Sequence, residues 1–160
     1  MAEISQYMEI LVDGLQKKSV LLDHIIDSND RLEKVISEQT MNMDQFKELL
    51  DEKDDYVKQI NQLDEGFQSL FDKIKDEIHA NKSLYKQQIL RMQQLIREIT
   101  DKGVQIQQTE AKNKLTIEGQ FAKMHKNVRV AKQGMNVAQN YYKNMTKMSV
   151  VDSQFLDKKN

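Results

Sequence analysis

Apolar residues recur along this chain in alternating steps of four and three, and that repeat admits few structures other than long helices. From Ile4 the stepping meets Met8, Leu11, Leu15, Lys18, Leu22, Ile25, Asn29, Leu32 and Ile36, eight apolar positions of ten. A seam of this kind runs down one side of a helix that packs against other helices. It predicts a first helix over 3–37. Lys18 and Asn29 interrupt it, as polar residues that set register or that snorkel at a bundle edge. From Phe46 the same stepping meets Leu50, Lys53, Val57, Ile60, Asp64, Phe67, Phe71, Ile74 and Ile78, and predicts a second helix over 43–79. Asn42 with Gln45 three residues on resembles a capping box at its start. Gly66 inside it, among Leu63, Phe67, Leu70 and Phe71, suggests a close helix crossing.

The stretch 79–83 offers a turn, with Asn81 or Ser83 placed to cap a third helix, but nothing in it forces a break, and the alternative is one continuous helix. That helix reads Tyr85, Ile89, Met92, Ile96, Ile99, Gly103, Ile106, Glu110, Asn113 and Ile117. The stepping then continues through Phe121, Met124, Val128, Ala131, Met135, Ala138, Tyr142 and Met145 with no polar break. Three segments of similar length with short polar joints fit an antiparallel bundle. The expected fold is therefore all-α: an elongated antiparallel bundle of three long helices over 1–120, a C-terminal helical extension over 121–145 and a flexible tail over 146–160. The absence of Pro and the presence of only five Gly agree, since strands and hairpins are usually punctuated by both.

The chemistry that catalysis would need is sparse. No Cys is present, which removes disulfides, thiol nucleophiles and thiolate metal sites. His24, His79 and His125 stand far apart, outside any metal-ligand spacing. His24 with Asp27 and His79 with Asp76 read as surface hydrogen bonds. No phosphate loop, dinucleotide turn or nucleophile elbow occurs, and the acidic run 51–55 lacks the glycine of a calcium loop. A non-enzymatic protein without cofactor or metal is expected. The N-terminal MAEISQYMEI has neither the basic nor the apolar region of a secretory signal, and no apolar run approaches the roughly 20 residues of a membrane span. The expected location is the cytoplasm.

Charge is polarised beneath a net of −1: residues 1–79 carry −10, 80–120 carry +3 and 121–160 carry +6. The acidic half can fold back on the basic half, or each can address a partner of its own. The C-terminal stripe of Met, Ala and Val suits an adaptable apolar contact, either with a client helix or with the chain's own bundle. A nucleic-acid contact through Tyr141 and Tyr142 finds little support, because the basic residues alternate with an apolar stripe and no Arg cluster is present.

The segment 49–78, LLDEKDDYVKQINQLDEGFQSLFDKIKDEI, resembles a segment of flagellar export chaperones of the FlgN/FliT type. The stretch 84–114, LYKQQILRMQQLIREITDKGVQIQQTEAKNK, is similar to the helix that follows in them, and NYYKNM at 140–145 and QFLDKK at 154–159 look like the close of Gram-positive members. The resemblance implies a cytosolic helical chaperone of type III export. Such a protein keeps hook-associated or filament-cap proteins unpolymerised and delivers them to the export gate. It places client binding on Met124, Val128, Ala131, Met135, Ala138 and Tyr142, and the export-gate contact on Tyr141 and Tyr142. A monomer or homodimer is expected. The competing expectation is a structural or adaptor coiled coil that self-associates without a secreted client.

Overall fold

The computed structural model describes residues 2–124 and 127–146, with the side chains of Ala2 and Thr146 outside the description. Its order is α1 (Ala2–Ile36), α2 (Met43–Ala80), α3 (Lys86–Ala122) and α4 (Val128–Thr146). The chain is all-α, and no helix is long and apolar enough among the described residues to cross a membrane. The first three helices hold 35, 38 and 37 residues, so each is about 50–57 Å long at 1.5 Å per residue. The fourth, with 19 residues, is about half that length.

The joints follow from local chemistry. Asn42 stands in extended backbone and its side-chain oxygen accepts from the Gln45 N–H at 3.1 Å, which fixes the start of α2. A turn does separate α2 from α3, but Asn81 closes α2 rather than opening α3. Its backbone N–H bonds to the carbonyls of Glu77 and Ile78, and its side-chain amide donates to the Glu77 carbonyl at 3.0 Å. The stripe that runs unbroken in the sequence is broken in space. After Ala122 the chain turns, Asn127 accepts from the Val130 N–H at 3.3 Å, and α4 begins. The helical continuation expected past residue 120 is thus a fourth helix folded back along α3, not an extension of it. The tail expected over 146–160 lies, from residue 147 on, outside the described residues.

Cross-helix pairs fix the packing. Lys18 meets Asp64 and Arg31 meets Glu52, so α1 and α2 are antiparallel. Lys102 meets Ser19 and Asp23, Lys112 meets Glu33 and Gln120 meets the carbonyls of Ile36 and Glu38, so α1 and α3 are parallel neighbours. These pairs also bring bases of α3 onto acids of α1, as the charge polarity of the sequence allows. The α2 and α3 backbones do not approach each other closely, although their side chains meet in a shared apolar cluster. Over one end of this pair α4 is laid, antiparallel to α3 and parallel to α2, with its backbone close to both.

Two apolar clusters fill the interior. One gathers Leu11, Leu22, Ile25, Ile60, Phe71, Ile74, Met92 and Ile99 among others. The second gathers Leu32, Ile36, Phe46, Leu50, Ile117, Phe121, Ala138 and Tyr141, and Met145 packs against both. Phe46 and Phe121 meet edge to face at 5.6 Å in the second. Gly66 does not mark a crossing: a Cβ there would meet nothing within 4 Å. The glycine that does is Gly134, where a Cβ would lie 2.3 Å from the tip of the Phe121 ring.

These two glycines should therefore respond oppositely to alanine. Gly66→Ala is expected to raise stability by about 1 kcal/mol through helix propensity. Gly134→Ala is expected to lower it by about 1–3 kcal/mol through overpacking against Phe121. Urea denaturation of the two variants checks this, and hydrogen exchange should place the loss in α4.

Candidate functional site

The region built by the C-terminal stripe is the seam between α4 and the α2–α3 pair. Ala138 and Tyr141 are buried in it. Met124, Ala131, Met135 and Tyr142 are half-buried and pack on the cluster around Phe46 and Phe121. Val128 stands apart, 69% exposed at the first residue of α4. Five of the six residues assigned to client contact thus lie together, facing their own bundle. Between α3 and α4 a cleft of about 280 Å³ remains, lined by Lys114, Ile117, Glu118, Met135, Ala138 and Tyr142. The hydroxyl of Tyr142 is buried there without a hydrogen-bond partner among the described residues.

Tyr141 and Tyr142 do project to neighbouring faces, with rings edge to face at 5.2 Å, but their surroundings differ. Tyr141 points inward and donates its hydroxyl to Glu110 Oε1 at 2.7 Å. The Lys53 ammonium sits 2.8 Å from the same oxygen and 4.4 Å from the centre of the Tyr141 ring. Lys53 is 0% exposed. Three helices therefore converge on one carboxylate: α2 brings the ammonium, α3 the carboxylate and α4 the phenol. A partner can touch Tyr141 only if α4 moves.

The registers place two further polar residues near this level. Asn29 lies two residues before Arg31, which pairs with Glu52, and Asn113 lies one turn from Glu110 on α3. Both are 1% exposed, and their amide nitrogens find no partner among the described residues. This polar layer falls between the two apolar clusters: between Ile25 and Leu32 on α1, Leu50 and Val57 on α2, and Ile106 and Ile117 on α3.

The sequence pattern marks Tyr141 and Asn29 but does not join them to Lys53, Glu110 and Asn113. A signal for the join exists, since Lys53, Glu110 and Asn113 are the polar residues standing in otherwise apolar seams. The other two breaks, Lys18 and Asp64, also pair with each other, at 2.6 Å. Lys18 is buried rather than snorkelling at an edge. His24 does not bond Asp27, which binds Arg31 instead, and its ring stacks on Tyr56 at 5.2 Å. Among the described residues, no three His, Cys, Asp or Glu side chains come together as metal ligands would.

Burial shifts the ionisation of the cluster. It lowers the Lys53 ammonium against the pull of Glu110, and raises the Tyr141 hydroxyl well above its ordinary range with Glu110 adding to the effect. A raised phenol keeps its proton in the fold while the unfolded chain loses it. Its stabilising contribution is thus complete below about pH 10 and is lost as pH rises beyond that. Lys53 works the other way, since its lowered ammonium costs least once the proton has gone. Melting temperature should fall above about pH 10, and should fall less steeply in Tyr141→Phe.

Removing one member of the cluster should be far worse than removing all three. Glu110→Ala leaves the buried ammonium without its partner and is expected to cost about 3–5 kcal/mol. The triple change Lys53→Met, Glu110→Leu, Tyr141→Phe should stay within about 1 kcal/mol of the parent or exceed it. Guanidinium denaturation of the two variants measures the difference.

Compared with models of known protein families, with curated proteins and with solved structures, the chain matches none.

Proposed function

We propose that this chain is a non-enzymatic cytosolic chaperone that binds a helical segment of a client through the α4 seam. We assign it to flagellar type III export, with hook-associated or filament-cap proteins as clients. The observation that carries the helix-binding reading is that a 19-residue amphipathic helix, α4, is seated on α2 and α3 through a Met and Ala stripe with Tyr141 and Tyr142, against the cluster of Phe46 and Phe121. Met side chains repack at low cost, so a stripe of this composition suits contact with more than one apolar helix face. The assignment to flagellar export rests on the sequence resemblance of residues 49–78 and 84–114.

The mechanism is competitive burial. In the client-free state α4 covers its own stripe. A client helix that would otherwise polymerise buries its apolar face either against the stripe, over the cleft at Met135 and Tyr142, or on the α2 and α3 surface that α4 vacates. Self-packing subtracts from client affinity, which suits a complex that must later be released; a Kd near 1 μM corresponds to about −8 kcal/mol. Displacement of α4 also exposes Tyr141, and with Tyr142 it then becomes available to an export-gate component.

One observation favours a second reading. Leu90, Val104 and Leu115 are exposed on α3, and their spacing of 14 and 11 residues brings them near one line of the helix. A self-associating structural coiled coil would use such a line.

Size-exclusion chromatography with light scattering separates the two. A stoichiometric complex with a hook-associated or filament-cap protein, lost in Met135→Ala/Tyr142→Ala with helicity unchanged, is the expected outcome. Loss of helicity in that variant would make both residues core. A constant oligomer that ignores every such protein would move the assignment to the structural coiled coil.

A further inference from the structure

The face shared by α3 and α4 joins an open apolar strip to charge of one sign. Leu115 and Val128, at 72% and 69%, are the most exposed large apolar side chains among the described residues. Leu115 follows Lys114 and stands one turn before Glu118, while Val128 stands two turns before Met135 on the same side of α4. Both therefore border the cleft of about 280 Å³ that Lys114, Glu118, Met135 and Tyr142 line. From Val128 to Tyr142 the strip runs 14 residues along α4. That is about 21 Å, room for a partner helix of about four turns.

The charge beside this strip is positive. Residues 111–146 hold seven Lys or Arg against one acid, Glu118. Lys112 is taken up by Glu33 of α1. Lys114 instead holds its ammonium over the Tyr142 ring, 5.7 Å from the centre. Lys132 is exposed one turn before Met135. Under Lys114 the Tyr142 hydroxyl is buried with no hydrogen-bond partner among the described residues. Burial, and after it the charges of Glu110 and Glu118, raise this phenol far above its ordinary range. It therefore keeps its proton and is a donor for an incoming acceptor. A donor hydroxyl and ammonium groups along an apolar cleft are complementary to an apolar stripe bordered by carboxylates.

We infer that the partner of this face is an acidic amphipathic helix. Its apolar stripe covers Leu115, Val128 and Met135, its flanking carboxylates meet Lys114 and Lys132, and one of them accepts from the Tyr142 hydroxyl. This partner chemistry rests on the client-binding reading above and adds to it the sign of charge that a client helix must carry. The same lysines turn away a helix whose apolar stripe is bordered by Lys or Arg.

Two synthetic helical peptides of about 16 residues serve as probes, each with Leu in steps of four and three, bordered by Glu in one and by Lys in the other. Fluorescence anisotropy follows their binding to the full chain at about 0.1 M salt. The Glu peptide is expected to bind at least about tenfold more tightly than the Lys peptide, the effect of a few exposed ion pairs. Lys114→Glu/Lys132→Glu should abolish that preference with helicity unchanged, since both side chains are exposed. Tyr142→Phe should weaken the Glu peptide and leave the Lys peptide as it was. Equal affinities, no binding of either peptide, or a preference that survives the charge reversal would overturn the acidic partner. A self-associated chain that the reversal dissociates would overturn it in favour of a second copy. Chromatography of Lys114→Glu/Lys132→Glu with hook-associated and filament-cap proteins separates this outcome from the client reading. A complex that withstands the reversal keeps the client and removes the acidic partner. Binding of the Glu peptide without any such complex keeps the acidic partner and removes the flagellar clients.

Discussion

An ammonium with no exposed surface governs the arrangement of these four helices. Taking Lys53 out of water is costly, and the cost is contained only because Glu110 comes within 2.8 Å from α3 and Tyr141 closes over both from α4. Apolar seams alone would leave long helices free to slip by a heptad at modest loss, since Leu against Ile is much like Ile against Leu. A slip here strands a buried charge. The layer therefore selects one register among several that would bury similar apolar area, and it does so for α2, α3 and α4 together. Lys18 with Asp64 repeats the device between α1 and α2.

The same layer divides the core. Below it, α1, α2 and α3 pack around Leu22, Ile25, Ile60, Phe71 and Met92 with no contribution from α4 beyond Met145. Above it, α4 supplies Ala138 and Tyr141 and is keyed to α3 by the fit of Phe121 against Gly134. The three long helices thus hold a complete cluster of their own, while α4 is attached by one polar contact, one aromatic fit and a stripe of Met and Ala. Local stability should be graded accordingly, with α4 the first element to open.

Most of the helices were legible in the sequence because their signal is periodic and long. The spans of α1 and α2 agree with the stepping to within a residue, and Asn42 caps α2 as its spacing with Gln45 suggests. The break between α3 and α4 was not legible, because the seam residues Phe121, Met124 and Val128 keep the period straight through it. The new helix is opened there by the cap that Asn127 makes, a single residue that the stepping passes over. Gly66 misled for the opposite reason: a glycine in an apolar setting suggests close approach, yet which face it occupies is decided by packing, and this one faces outward. The stripe on α4 was legible as apolar. That it turns to its own bundle depends on the apolar surface that α2 and α3 present together, which no local pattern encodes.

The parallel pairing of α1 with α3 carries a cost in time. The contacts that join them, such as Lys102 with Asp23 and Gln120 with the Ile36 carbonyl, link residues 79 and 84 positions apart. During synthesis α1 can pair with α2 early, yet the face it will give to α3 waits until that helix has also been made. At about 5–20 residues per second this delay is on the order of ten seconds. For that interval Leu11, Leu22 and Ile25 are incompletely covered, and the nascent chain is itself a protein with an exposed apolar stripe in need of a partner.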